Sequence, residues 1–193
     1  MEQKLTEQQA LEFNALFNGA CERMKSLVYL DGIRAKPVGF WGKIKLRSSI
    51  KDLQRCLEMV PAHWQAMVFL GKAYQRMGSY AEALAMFERA MEIESVNSAI
   101  PREASLTAAL IRNIDKAIQY SAIANERKPN DYTLLSNHAL NLLLGKRDEE
   151  ARSVIGQALG LAPEDKVNQR ISLMINEVIS GKRKRPNPED VIG

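Results

Sequence analysis

Two cysteines in 193 residues, Cys21 and Cys56, are too few for a disulfide framework. Each falls in an apolar helical phase, which predicts buried free thiols and a reduced, intracellular setting. There are only seven prolines and eleven glycines, and Val, Thr, Tyr and Trp are scarce beside Ala, Leu, Met, Glu, Lys, Arg and Gln. Strands collect β-branched and aromatic residues, so this shortage favours helix over sheet. No uninterrupted apolar stretch approaches the ~20 residues a helix needs to cross a bilayer, so no transmembrane segment is expected. The opening MEQKLTEQQ has no basic region followed by an apolar run, so no signal peptide is expected either. What is present is 46% hydrophobic residues, enough for a sizeable core, which excludes a compositionally disordered chain.

An excess of charge of one sign is also missing. The net +4 comes from a single run, Lys182, Arg183, Lys184 and Arg185; without it 23 basic residues face 23 acidic ones. The folded part is therefore neutral overall, and the basic bias belongs to the tail. That run reads either as a short import signal of the K-[KR]-x-[KR] kind, if the source is eukaryotic, or as a solubilising tail with no specific partner.

Chemistry-bearing motifs are lacking too. There is no glycine-rich phosphate loop, no paired metal-ligand spacing and no nucleophile elbow. The sequence therefore predicts no catalytic residues, no metal site and no cofactor. His63 stands before Trp64 at the start of a helix, as a surface or capping residue. His138 falls on an apolar phase and reads as a hydrogen-bonded core histidine, with a ligand or pH-sensing role as the alternative.

A period of 34 residues organises the remainder. Ala83 maps onto Ser49, Ala117 and Ala151; Ala90 onto Cys56, Ala124 and Ala158; Phe87 onto Leu53, Ser121 and Ile155. Ser95 maps onto Pro61, Pro129 and Pro163. Two slots are small in all four units, and a proline closes three of them, with no gap introduced.

These residues resemble the tetratricopeptide repeat, a helix–turn–helix unit of 34 residues. The carriers are Leu70-Gly71-x-x-Tyr74, Gly78 at the turn, Ala83-x-x-x-Phe87 and Ala90. Met67 takes the slot where the family usually has tryptophan, and Trp64 stands three residues earlier. The likeness is strong over 64–97 and 132–165 and weaker over 98–131, where Ser105, Ala108 and Ser121 depart from the pattern. The resemblance implies an all-α fold, an α-solenoid of stacked helix pairs. Gly71 and Ala83 would let the two helices of a pair cross closely, Tyr74 and Phe87 would fill the space beside them, and Ala90 would admit the next unit.

The expected organisation is a single array over residues 1–181. It comprises a helix over 5–30 with Thr6 and Gln9 as a capping box, an inserted loop over 31–42, and a second helix over 43–61. Repeats follow at 64–97, 98–131 and 132–165, with helices near 64–77, 80–93, 98–112, 115–127, 132–144 and 148–160. A capping helix over 165–181 has Val167, Ile171, Met174, Ile175, Val178 and Ile179 on one face. A disordered basic tail spans 182–193. The loop is set apart because Pro37, Gly39 and Gly42 oppose a regular helix. Its Phe40 and Trp41, between Arg34, Lys36, Lys43, Lys45 and Arg47, form a secondary candidate site. They either pack back on the first helices or meet an acidic partner, a nucleic acid or a membrane surface.

The family resemblance also implies function: a protein or peptide partner bound in a groove lined by the first helix of each repeat. The groove residues it implies are Gln65, Val68, Lys72 and Gln75, then Ala99, Arg102, Leu106 and Ala109, then Thr133, Ser136, Leu140 and Leu143. Some members hold the acidic tails of heat-shock chaperones with Lys, Asn and Arg. Here the two clamp positions are Arg34 and Val38, or Val68 and Lys72, depending on the start, and neither pair fits. The expected function is thus a non-catalytic adaptor or scaffold in the cytoplasm, or the nucleus if the basic run is an import signal. Escort of an apolar client segment, nucleic-acid association through 34–47 and the tail, and a homodimer through the N-terminal helix are open alternatives.

Overall fold

The computed structural model describes residues 5–28 and 38–191. Every regular element among them is helical: α1 (Glu7–Met24), α2 (Phe40–Met59), α3 (Trp64–Met77), α4 (Tyr80–Ile93), α5 (Ala99–Leu110), α6 (Ile114–Arg127), α7 (Tyr132–Leu144), α8 (Asp148–Leu161), α9 (Lys166–Ile179) and α10 (Pro188–Val191). The chain divides into two units, Met1–Glu94 and Ser95–Gly193.

In the first unit α1 packs on α2, α2 on α3 and α3 on α4. The predicted capping box is present: Gln9 N–H donates to Thr6 Oγ1 over 3.3 Å, and Thr6 N–H to Gln9 Oε1 over 2.9 Å. α1 ends at Met24 rather than near residue 30, and residues 29–37, with most of the expected loop, lie outside the described residues. α2 begins at Phe40, three residues earlier than expected, with Gly39 as its N-cap. Gly42 is accommodated inside the first turn, and Leu27 and Val38 lie against the spot where its β-carbon would be. Phe13, Ala20, Met24, Leu46, Leu53, Cys56, Ala66, Leu70 and Ala73 form the core. α1 thus takes the place of a first repeat helix, as the phase of its apolar residues implies.

In the second unit the hairpins α5–α6 and α7–α8 are followed by α9, which packs on α8 and α7. Ala139, Leu142, Leu143, Ala151, Ile155, Ala158, Ile171 and Ile175 form its core. Pro101 sits in the first turn of α5, where its missing N–H leaves no gap in the ladder. Ile171 and Ile175 carry the buried face of α9, but Val167, expected beside them, is 58% exposed.

The C-terminal segment differs from expectation. It is ordered through Val191: Arg185 clasps Asp148, Pro188 is buried, and α10 packs on α5. Ion pairs and a buried proline have no periodic signature, so composition alone suggests a free tail.

Candidate functional site

On α3, Gln65, Val68, Lys72 and Gln75 are all half-buried, and their spacing of three and four puts them on one face. Phe69, also half-buried, completes the stripe with Gln65, Val68 and Lys72. The helix is started by His63, whose Nδ1 accepts the Ala66 N–H over 3.1 Å, which requires a neutral ring protonated at Nε2. Burial lowers the pKa of His63 and so favours that neutral form.

His63 also ties α3 to α1. Its ring meets Phe13 edge-on at a centroid distance of 4.8 Å and Phe17 at 5.1 Å. Phe17 in turn meets Phe69 edge-on at 5.8 Å. The α1–α3 face therefore presents two partly exposed rings, Phe17 and Phe69, beside Val68, with the amide of Gln65 and the ammonium of Lys72 along the same stripe. Sequence reasoning missed the aromatic half of this surface. The available signal was the spacing of Phe13 and Phe17, four apart on one helix, together with a histidine at the start of another.

The second unit holds its candidates differently. Arg102 and Leu106 on α5 are half-buried, and Arg102 pairs over 2.9 Å with the buried carboxylate of Glu103. Ser136 is only 3% exposed, because α9 covers α7 and the Asn168 amide oxygen engages its hydroxyl. Leu140 packs against the core of this unit. Ala109 and Leu143 are fully buried. Arg102, Leu106 and Leu140 keep partial exposure, while Ser136 is closed off beneath α9.

Phe40 and Trp41 do not pack back on the helices. They form the first turn of α2, 72% and 74% exposed, with their rings edge-to-face at 5.4 Å. Ile44, one turn on, is 41% exposed, and Lys43, Lys45 and Arg47 around it are exposed. Arg34 and Lys36 lie outside the described residues.

His138 is the core histidine the sequence suggests: its Nδ1 lies 2.7 Å from Ser121 Oγ, and desolvation lowers its pKa. Cys56 is buried, with its thiol pKa raised to about 11 mainly by desolvation, so it is held as an unreactive thiol. Cys21 is half-buried rather than buried. Among the described residues no three His, Cys, Asp or Glu side chains gather to hold a metal. No helix among them is long and apolar enough to cross a membrane.

Residues 65–97, the α3–α4 hairpin, match the family model for the tetratricopeptide repeat. This one hairpin is thus similar to a tetratricopeptide repeat. No curated protein matches by sequence. Among solved structures, a crystal structure of MamA is 10% identical with a TM-score of 0.74, covering 95% of this chain and 91% of that one. YrrB, described as a tetratricopeptide protein with an unusual peptide-binding site, is 18% identical with a TM-score of 0.64, covering 77% of each chain. The first such repeat domain of Spaghetti (RPAP3), bound to the HSP90 peptide SRMEEVD, is 16% identical with a TM-score of 0.56, covering 61% of this chain and 93% of that one. These likenesses define the fold class as all-α, an α-solenoid of tetratricopeptide-type hairpins. Within the matched segment, α3 is the first helix of the hairpin and α4 the second.

Proposed function

We propose that the protein is a non-catalytic protein-interaction module that binds a short peptide or helix on the α1–α3 face of its first unit. The observation that carries this reading is the half-buried pair Phe17–Phe69, set edge-to-face beside Val68 and in line with Gln65 and Lys72. Aromatic edges beside an aliphatic group suit an apolar anchor, and the flanking amide and ammonium suit peptide carbonyls or a carboxylate. The peptide-binding character of YrrB and of the RPAP3 repeat supports the class of partner. The partner's chemistry here is mixed rather than strongly acidic, because Val68 and Lys72 stand where a chaperone-tail clamp needs Lys and Asn. In the second unit, Arg102 and Leu106 on α5 are a candidate contact of their own.

The exposed Phe40, Trp41 and Ile44, ringed by Lys43, Lys45 and Arg47, favour an additional docking surface for an acidic, partly apolar protein. The test is co-capture from native lysate at physiological salt. A discrete partner bound by the wild type should be lost with Val68→Glu. Phe40→Ser/Trp41→Ser should remove only partners of the α2 surface. Undiminished capture by a folded Val68→Glu protein would overturn the reading.

A further inference from the structure

At the edge of the second unit, two interhelical turns hold the chain's own C-terminal segment. The Arg185 guanidinium clasps the Asp148 carboxylate with both nitrogens, Nη1–Oδ1 at 2.7 Å and Nη2–Oδ2 at 2.9 Å. Nη1 also donates to the carbonyl of Leu143 in the last turn of α7. A carboxylate and a helix C-terminal carbonyl thus converge on one planar cation, a geometry that a lysine cannot satisfy in the same way. Three residues on, Pro188 is buried and α10 lies on α5. Glu189 Oε1 then meets Arg112 Nη2, in the α5–α6 turn, at 3.3 Å.

The 34-residue register makes Arg112 conspicuous. Gly78, at the turn of the first unit's repeat, is left-handed with φ of 81°. One period on is Arg112 with φ of 62°, and the next is Lys146 with φ of 61°. A side chain is strained in that conformation, and glycine is the default. In the second unit the slot nevertheless carries a cation each time, and at 112 it reaches the tail.

We propose that the edge formed by the α5–α6 and α7–α8 turns is a peptide-recognition site, separate from the α1–α3 face. It takes short segments with an arginine, prolines, and a carboxylate four residues after the arginine. Residues 185–189, Arg-Pro-Asn-Pro-Glu, fill it in cis. Five residues link α9 to Arg185, a tether short enough for an effective concentration on the order of millimolar. A segment arriving from another protein must outcompete that occupancy. Lys182, Arg183 and Lys184 remain exposed, so Arg185 alone of the basic run serves as the anchor.

The test titrates a fluorescent peptide of residues 182–193 into full-length protein and follows anisotropy. An Arg185→Ala/Glu189→Gln protein, with its own tail released, should bind the peptide at least about tenfold more tightly than the wild type. Adding Asp148→Asn should abolish that binding, and a peptide with Arg185→Ala should not bind to the released protein. The peptide arm needs no further change to the fold, and circular dichroism melts verify each variant. Equal binding by wild type and released protein, no binding by the released protein at millimolar peptide, or indifference to the peptide's arginine would each overturn the proposal. None of these outcomes depends on the α1–α3 face.

Discussion

The Phe87 ring lies over Gly71, so close that a β-carbon on Gly71 would stand 2.8 Å from its Cε1 atom. Both residues are buried, as is Ala83 on the same crossing. Gly71→Ala should therefore overpack the α3–α4 interface and cost about 1–3 kcal/mol, only part of which the better helix propensity of alanine, roughly 1 kcal/mol, offsets. In a Phe87→Leu background the same substitution should cost much less. Urea unfolding of the four proteins measures the coupling; strictly additive effects would place the close contact elsewhere.

The later repeats keep the crossing with other residues. One period on, Ser105 and Ser121 replace Gly71 and Phe87, and Ala139 and Ile155 follow. The volume lost at Ser121 is met by His138, whose ring bonds to its hydroxyl. This is why a histidine can stand in the slot Leu70 fills in the matched repeat.

Two histidines with lowered pKa values predict an acid-sensitive fold. Desolvation lowers both His63 and His138 below the ordinary 6.5, so the unfolded chain takes up protons first as pH falls. Stability is retained above about pH 6.5 and declines below it, until the folded-state histidines themselves protonate. The lowered carboxylates, Asp131 and Asp148, act in the same direction but only at lower pH. Thermal midpoints between pH 7 and 5 should therefore fall, and fall less in His63→Asn, which retains a side-chain acceptor for the Ala66 N–H. A flat profile over that range would refute the assignment.

Trp41 should fluoresce as an exposed indole. In a Trp64→Phe background its emission should be red-shifted and freely quenched by acrylamide, in keeping with 74% exposure. A blue-shifted, protected signal would mean that the first turn of α2 is covered.

The helical phases and the 34-residue register carried most of the fold in the sequence. α3, α4 and α7 span the expected residues, and Thr6 and His138 play the parts their positions suggest. Periodicity works there because each hairpin repeats the same packing problem. The candidate site was legible only in part. The α3 stripe followed from the repeat, but Phe17 became visible only once α1 was seen to stand beside α3. Ser136 looks like a groove residue by register but is closed off, because α9 packs over α7. The tail contacts join residues 37 apart through charge pairs, and such pairs leave no pattern in a single sequence.

Where a partner touches the molecule decides the account most directly. A photo-crosslinking amino acid placed at Val68, on the α3 stripe, should form an adduct with a bound partner in native lysate. The same group at Arg89, exposed on α4, should form none. Competition by excess unlabelled wild-type protein should remove the Val68 adduct. Adducts from Arg89 but not from Val68, with both proteins folded, would contradict binding on the α1–α3 face.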